Sequence, residues 1–441
     1  MAKISFITLG CKLNYAETST YERALSARGL EVVDWREKAD LCLVNTCSVT
    51  EHSDHKCRNV IKKVARQNPD CKIIVTGCYA ALKPEEISAI DGVVGVFKAS
   101  EKNKVVNFIL SLADGNTAAE TDAFKSIFPA YSTGERTRSF LKVQDGCDNY
   151  CTYCTVPFAR GHSRSITICE AVRQANEIAA HGVKEIVLTG VNTGDFGKHP
   201  SNIDSVLGPG TADECEHTES FLDLLKALNE VEGIERYRIS SIEPNLITDE
   251  IVDWIASGSK ILPHFHIPLQ SGSDEILRQM DRHYDTAFFE KKIEYIRSKV
   301  GGHVFFGIDV IVGFPGETDE LFRETYDFLC RIRPAFIHIF PYSRRKGTVA
   351  DARKDQVQDI IKTYRVAKLE ELCKELHSEF IRENALRNCD VLFEGRSRDG
   401  MMRGYTDNYL LHEAPYESSL IGKIVRIDRL NCPGTDSENL E

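Results

Sequence analysis

Three times in its first ~135 residues the chain runs through the same succession: a short apolar, β-rich run, a turn that carries a cysteine, and a stretch with helical periodicity. The runs cover residues 4–9, 41–44 and 72–75 and end at Gly10-Cys11, Asn45-Thr46-Cys47 and Thr76-Gly77-Cys78. Strands that alternate with helices pair in parallel, and in an open parallel sheet every strand-to-helix turn lies along the carboxyl edge. The pattern therefore predicts an α/β fold that begins with an N-terminal open parallel α/β sheet over residues 1–135. Its three cysteines converge in space although they are far apart in the chain. Residues 111–136, polar and interrupted by Pro129 and Gly134, read as the linker out of this sheet.

The alternation then resumes in longer units. Strand patterns cover 140–144, 185–189, 237–241, 264–269, 304–312 and 336–340. One of the intervening helical patterns opens on a capping box, Thr167 to Glu170, and closes at Gly182. Six such units over residues 136–375 predict a central incomplete (β/α)6 barrel, whose chemistry belongs on the loops that follow its strands. Those loops are polar and glycine-bearing: Asp145-Gly146-Cys147, Gly190-Val191-Asn192, Ser240 to Pro244, Gln270 to Ser273, Gly313 to Glu317 and Tyr342 to Arg345. Residues 198–218 interrupt the rhythm with a polar segment, read as a disordered or neutral insertion, with a functional lid as the alternative. Residues 353–388 read as one long helix carrying Arg353, Lys354, Lys362, Arg365, Lys368 and Lys374. After it, β-rich runs at 389–393, 402–412 and 421–429, parted by glycine turns, predict a C-terminal small β-barrel within residues 376–441, ending in a frayed tail.

The chain has 55 Lys and Arg against 66 Asp and Glu, a formal charge of −11. That balance argues against non-specific nucleic-acid binding and leaves room for a local basic surface. No run approaches the roughly 18 apolar residues of a membrane span, and the N-terminus lacks the succession of a secretion signal, so a cytoplasmic location is expected. Fifteen cysteines are too dilute for a disulfide scaffold and odd in number, which points to metal or redox chemistry. Cys42 in a strand and Cys169, Cys330 and Cys373 in amphipathic helices read as small hydrophobes. Cys57 with His52 and His55 could mimic a zinc site, but the spacing does not place all three on one helical face, and Cys71, Cys215, Cys389 and Cys432 show no ligand pattern.

The strongest local signal is Cys147-Asp-Asn-Tyr-Cys151-Thr-Tyr-Cys154, at the mouth of the first barrel strand. A Cys-x3-Cys-x2-Cys loop can supply thiolates to three irons of a cubane and leave the fourth open as a catalytic site. The alternative is zinc, which in structural sites takes four protein ligands; His162 is the nearest candidate for a fourth.

Cys147, Cys151 and Cys154, with Tyr153 just before the last, resemble the signature of the radical S-adenosylmethionine (SAM) enzymes. The resemblance implies a 4Fe-4S cluster whose open iron takes SAM. It also implies Thr189 and Gly190 at the methionine amine, Ser241 and Glu243 at the methionine and ribose portions, Gly313 in the turn beside the adenine, and Gln270 and Tyr153 in the same pocket. The strings TLGCKLNYAET, NTCSVT and TGCYA resemble the N-terminal domain of the methylthiotransferases, which implies a second, auxiliary 4Fe-4S cluster on Cys11, Cys47 and Cys78.

The C-terminal segment resembles the RNA-binding TRAM domain of methylthiotransferases that act on tRNA. Arg396, Arg398, Arg403, Tyr405, Tyr409 and Arg426 become candidates for phosphate contact and base stacking. Arg160, His162 and Arg164, directly after the cluster loop, become candidates for substrate contact. The wording GCKLNYAET and VPFARGHSRS is most similar to the branch that modifies N6-threonylcarbamoyladenosine, whose carboxylate suits a planar Arg partner. Sister branches act on isopentenyladenosine or on a ribosomal protein aspartate.

The implied enzyme is a tRNA methylthiotransferase that converts this nucleoside, beside the anticodon, to its 2-methylthio form. In the family one SAM methylates sulfur on the auxiliary cluster and another yields the radical that abstracts hydrogen from the adenine carbon. No side-chain base of ordinary pKa removes that proton, which is why a radical is needed. The expected partners are the tRNA anticodon stem-loop, an electron donor and a sulfur source, with no membrane, and the expected state is a monomer. The two clusters must face each other, so the carboxyl edge of the N-terminal sheet must oppose the barrel mouth. A non-enzymatic iron–sulfur electron carrier or sensor is the rival class.

Overall fold

The computed structural model describes residues 1–114, 127–134, 137–198, 219–398 and 400–432. All but Lys198 of the expected insertion, much of the expected linker, Cys215 and the C-terminal tail lie outside the described residues, as do the side chains of Arg396 and Arg398.

Strands β1 (Lys3–Thr8), β2 (Glu31–Val32), β3 (Leu41–Thr46), β4 (Lys72–Gly77) and β5 (Val93–Phe97) form one parallel sheet in the order β2-β1-β3-β4-β5. The three expected strands are its centre, and the two edge strands are additions. In β5 the rings of Phe108 and Phe97 occupy the space that a side chain at Gly95 would need, 2.6 and 3.0 Å from the position of its Cβ. The two-residue period splits the apolar runs between two faces. Cys42, Val44, Ile73 and Val75 pack on Ile61 and Val64 of the helix Glu51–Gln67. Ile4, Leu41, Leu43 and Ile74 pack on Tyr21 and Leu25 of the helix Lys12–Ser26 and on Val105 and Ile109 of the helix Lys104–Asp114. Cover on both faces explains why β3 is apolar almost throughout. The last of these helices runs through residues 111–114, so the expected linker begins later than the sequence suggested.

The barrel contains β6 (Ala130–Tyr131), β7 (Arg138–Lys142), β8 (Gln144–Asp145), β9 (Arg164–Ser165), β10 (Glu185–Thr189), β11 (Arg236–Ile239), β12 (His264–Gln270), β13 (Phe305–Val312) and β14 (Phe336–Pro341). Strands β7, β10 and β11 pair in parallel, with β6 antiparallel on the edge; β12, β13 and β14 form a second parallel set. Isolated bridges from Tyr237 to Ile261 and from Ser241 to His266 join the two sets into one six-stranded partial barrel, as expected. The first strand stops short of its expected end. Gln144 and Asp145 instead pair antiparallel with β9, so the cysteine loop spans a two-stranded ribbon.

Outward residues such as Leu141, Leu188, Ile239, Ile267, Ile308 and Ile337 form one core with the surrounding helices. Their polar alternates Glu185, Arg238, His266, Asp309 and His338 line the concave side. Thr167 caps its helix by accepting the Glu170 N–H at 3.2 Å, but the capping box is not closed: the Glu170 carboxylate takes Arg173 and Gln174 instead.

The long helix spans Asp359–Asn384, shorter than expected, with a separate turn at Val349–Ala352. Beyond it β15 (Cys389–Arg398), β16 (Met401–Thr406), β17 (Leu411–Pro415) and β18 (Ile424–Ile427) form an antiparallel sheet in the order β17-β16-β15-β18, consistent with the small barrel. The single run expected at 402–412 is two strands, because Tyr409 turns the chain at φ +67° and packs its ring against His264 and Phe305 of the barrel. No described helix is long and apolar enough to cross a membrane.

Candidate active site

Cys11, Cys47 and Cys78 follow the adjacent strands β1, β3 and β4, and the loops are packed into one edge. A Cβ on Gly10, which has φ +106°, would lie 2.9 Å from the Cys47 Sγ, so this turn needs glycine for both conformation and space. Asn14 braces the edge by donating to the carbonyls of Leu9 and Thr46 at 2.7 and 3.0 Å, and Asn45 donates back to the Asn14 carbonyl at 3.1 Å. Cys57 stands behind the set and donates to the Cys47 carbonyl at 3.3 Å. Cys42, Cys71, Cys373 and Cys389 are buried, whereas Cys169 and Cys330 are exposed on their helices, not the buried hydrophobes expected.

Cys147, Cys151 and Cys154 hang between β8 and β9. Gly146, at φ +78°, has no room for a side chain, since a Cβ would fall 2.0 Å from the His162 carbonyl. The loop is pinned by Thr152, which donates to the carbonyls of Met280 and Gln279 and accepts from the Ala350 N–H, at 2.9–3.1 Å. The Val156 N–H points at the Cys154 Sγ at 3.4 Å, and Arg282 places Nη1 3.2 Å from the Cys151 Sγ. Burial pushes the thiols up, Cys147 and Cys47 to about 12 and Cys154 to about 11. Such thiols keep their protons until a metal displaces them.

Arg160, six residues beyond Cys154, reaches from the segment after the second triplet to the first. Its Nε lies 3.2 Å from the Cys78 Sγ, while its two terminal nitrogens donate to Asp145 and to the Asn14 side chain, each at 2.7 Å. Behind it sits a buried charge cluster. Glu17 accepts from Lys102 and Lys142 at 2.6 Å, and Asp145 lies 2.8 Å from Lys142. Burial alone would raise the Glu17 carboxyl, yet Lys102, Lys142 and Arg160 hold it at about 2. Asp145 is likewise well below the usual carboxylate range: burial opposes the shift, and Lys142, Arg160 and Lys102 outweigh it. Two carboxylates meet three buried cations and the partly buried Arg164, 3.5 Å from Asp145, an excess of positive charge that Arg160 carries to Cys78. On the far side of the mouth, Arg345 donates to Ser48 at 2.7 Å and pairs with Asp54 at 3.1 Å, beside Cys47. The carboxyl edge of the N-terminal sheet thus opposes the barrel mouth.

The residues expected at SAM lie at the same ends of β10 to β13. Thr189 is buried, and Gly190 has Gln144 Oε1 2.8 Å from where its Cβ would be; that oxygen accepts the N–H groups of Val191 and Asn192. Ser241 bridges to β12, and its carbonyl accepts the Thr193 hydroxyl at 3.0 Å. Glu243 pairs with Arg282, which ties it to the Cys151 loop; burial raises its carboxyl against the pull of that arginine. Gln270 ends β12 at φ +70°, and Tyr153 packs edge-on to Phe314. Gly313, at φ +73°, gives its N–H to Glu317 at 2.6 Å, and Arg365 holds the same carboxylate at 2.6 Å.

The expected RNA-facing groups are distributed differently. Arg160 is buried in the charge cluster, Arg164 donates to the Arg160 carbonyl at 2.8 Å, and His162 is exposed, 2.7 Å from Asp148. Arg403 pairs with Glu413 at 2.7 Å and Arg426 with Asp390 at 3.3 Å. Tyr405 is buried, stacked on Tyr409 at 4.9 Å, with the Arg138 guanidinium over its ring at 4.5 Å. On the long helix Lys362 and Arg365 turn inward to acidic partners, so that helix carries fewer free cations than its sequence suggested. Sequence reasoning missed Asn14, Glu17, Lys102, Lys142 and Arg282. A lysine at position 142, inside an apolar strand, was the available signal, because a buried ammonium needs a paired carboxylate.

Residues 3–98 match the uncharacterized protein family UPF0004, and residues 141–329 match the radical SAM superfamily. Over 98% of its length the chain is 38% identical to the threonylcarbamoyladenosine tRNA methylthiotransferase MtaB of Bacillus subtilis (strain 168), covering 94% of that protein. The chain belongs to the radical SAM methylthiotransferases. It is also 30% identical, over 98% of itself and 90% of the relative, to the tRNA-2-methylthio-N(6)-dimethylallyladenosine synthase of Alkaliphilus oremlandii (strain OhILAs). Among solved structures, the radical SAM methyltransferase TsrM from Kitasatospora setae aligns with a TM-score of 0.56 at 14% identity, over 79% of this chain and 77% of that one, a likeness of fold alone.

A radical SAM methylthiotransferase uses SAM and a 4Fe-4S cluster, and the cysteine spacing of this chain suits one. Thiolates on a single zinc at 2.3 Å would stand about 4 Å apart. Among the described residues no three cysteines bring their sulfurs within 4.8 Å of one another. Sulfurs that each bind a different iron of a cubane are spaced more widely.

Proposed function

We propose that this methylthiotransferase acts on tRNA, converting N6-threonylcarbamoyladenosine beside the anticodon to its 2-methylthio derivative, with Cys147, Cys151 and Cys154 holding the SAM-binding cluster and Cys11, Cys47 and Cys78 an auxiliary one. The observation that carries the reading is the Arg160 bridge. A methylthio transfer needs a sulfur source and a radical source on opposite sides of one base, and Arg160, on the helix that follows the Cys147–Cys154 loop, places its guanidinium 3.2 Å from the Cys78 Sγ. Identity of 38% along nearly the whole chain to a relative named for this substrate supports the choice over dimethylallyladenosine, where the identity is 30%.

When bound, the SAM-binding cluster supplies the electron that cleaves SAM and so the radical that takes hydrogen from the adenine carbon. The protein's part is placement. Arg282 sets Cys151 and Glu243 in one geometry, Glu317 fixes the Gly313 turn, and Gln144 fixes the turn at Gly190. The surplus charge of the Glu17/Asp145 network favours an anionic cluster at Cys78, because a buried negative group is stabilised by an unneutralised buried cation. Arg345 and Arg160 anchor the loops beside Cys47 and Cys78 through Ser48, Asp54, Asn14 and Asp145. An electron donor, a sulfur source, a cytoplasmic setting and a monomeric state belong to the same reading. Transfer RNA from a strain lacking the gene should lose its 2-methylthio-threonylcarbamoyladenosine and keep its 2-methylthio-isopentenyladenosine; the reverse pattern would reassign the substrate.

A further inference from the structure

Beside the cysteine loop of the barrel stands an aromatic cluster that the site described above does not use. Tyr150, within the loop, and Phe158, in the helix Val156–Arg160, are 47% and 62% exposed, and the His162 side chain is 81% exposed. The three rings also meet. That of Tyr150 lies 6.1 Å from the ring of Phe158 and 6.4 Å from that of His162, both edge to face. Large apolar side chains gathered in water mark an interaction surface, where a single exposed ring would mean little.

The backbone holds these rings out. Pro157, Ala159 and Arg160 are buried and fix the short helix, which leaves Phe158 on its outer side. Tyr150 has φ +47°, a left-handed conformation that a bulky residue keeps only where its surroundings enforce it. The His162 Nδ1 lies 2.7 Å from Asp148, whose other carboxylate oxygen accepts the Ser163 N–H at 3.3 Å, so the imidazole is oriented as well. Size and chemistry then choose the occupant. The open parts of the three rings amount to roughly 200–400 Å², well short of the about 800 Å² that each side of a specific protein–protein interface buries. They suit one or two flat rings.

Phe158 follows Cys154 by four residues, at most about 14 Å of chain, so the cluster borders the place where the reacting base must enter. The flat rings that arrive there with it are its neighbours in a splayed loop, which proteins hold by stacking them on aromatic side chains. Tyr405 and Tyr409 cannot serve, being packed into the seam between the C-terminal sheet and the barrel. We propose that Phe158, Tyr150 and His162 form a stacking platform for the nucleotide next to the modified adenosine in the anticodon loop. The proposal rests on the tRNA reading above and adds the surface that holds the loop at the active site. Because every base has a π-face, the platform positions the loop without choosing its sequence.

The test uses reconstituted full-length enzyme and two anticodon stem-loop RNAs with threonylcarbamoyladenosine, one carrying 5-iodouridine on its 5′ side and one on its 3′ side. Irradiation joins the iodinated base to an aromatic ring stacked on it, and peptide mass spectrometry should place the link on Tyr150, Phe158 or His162 in at least one of the RNAs. Phe158→Ala should raise the RNA Kd about 5- to 100-fold, the range of one base–aromatic stack, and Phe158→Leu, which keeps apolar bulk without a π-face, nearly as much. Phe158→Trp should bind as tightly as wild type. Should Phe158→Ala lose iron, His162→Ala, eight residues beyond Cys154, decides, with a Kd raised about 5-fold or more. An unchanged Kd in the deciding variant, a Phe158→Leu protein that binds like wild type, or links that fall on other residues overturn the platform. A wild type that binds neither RNA overturns the tRNA reading itself.

Discussion

Removing the guanidinium that joins the two cysteine loops has a cost that can be worked from its contacts. Arg160→Met keeps the aliphatic stem and deletes three bonds, to Asp145 and Asn14 at 2.7 Å and to the Cys78 sulfur at 3.2 Å. Breaking a buried pair by deleting one partner costs about 3–5 kcal/mol, and each hydrogen bond to a charged group about 1.5–3. Asp145 keeps Lys142 at 2.8 Å and is not stranded, which places the loss near the low end, about 3 kcal/mol. At roughly 2–3 °C per kcal/mol, melting should fall by about 6–9 °C.

A second effect follows from the charge count. Without Arg160 the cluster loses the guanidinium that lies 3.2 Å from the Cys78 Sγ and much of its excess positive charge. Iron in anaerobically reconstituted protein should therefore drop from about eight per chain toward four. Arg160→Lys, which keeps the charge and at most part of the geometry, should lie between. The assays are scanning fluorimetry and iron and sulfide quantification on the three proteins. Melting within about 1 °C of wild type together with about eight irons would refute the role given to this residue.

Gly146→Ala should empty the SAM-binding site, because its Cβ meets the His162 carbonyl at 2.0 Å; the protein should retain about four irons and fail to cleave SAM, and normal cleavage would contradict the loop geometry. Glu17 is held at about 2 against an ordinary 4.5, so its contribution is complete above about pH 4.5 and is lost as pH falls toward 2. Glu17→Gln should lower stability at neutral pH and flatten that acid arm in urea titrations between pH 5 and pH 3; an unaltered arm would show that the carboxylate is not ionised in the fold. Affinity for tRNA should fall with salt at a slope of about −0.7 per phosphate contacted in single-stranded regions. With Lys362 and Arg365 turned inward, the slope should be shallow and unchanged in Lys362→Gln, and a marked loss there would return the helix to the RNA surface.

The cysteine positions and the two parallel sheets were legible in the sequence because strand-to-helix alternation fixes which turns share an edge. Resemblance to the methylthiotransferases then named the chemistry that spacing left open. Residues that act through partners distant in the chain were not legible. Glu17, Lys102, Lys142 and Arg160 come from four separate elements, and nothing local marks them as one cluster. Arg160 looked like a substrate contact because it follows the cysteine loop, but its environment is set by Asn14 and Asp145 from other loops. Tyr405 and Tyr409 looked like stacking platforms, and their rings are instead packed into the seam between the C-terminal sheet and the barrel, an outcome decided by a left-handed turn at Tyr409.

The central claim is tested most directly by incubating the reconstituted enzyme with SAM, a reductant, sulfide and tRNA bearing threonylcarbamoyladenosine, then digesting the tRNA for nucleoside mass spectrometry. The account predicts that this nucleoside gains one CH2S unit in wild type and that no gain occurs in either the Cys147/Cys151/Cys154→Ala or the Cys11/Cys47/Cys78→Ala protein. A gain that persists without the N-terminal triplet, or a wild type that cleaves SAM and leaves the nucleoside unaltered, would contradict it.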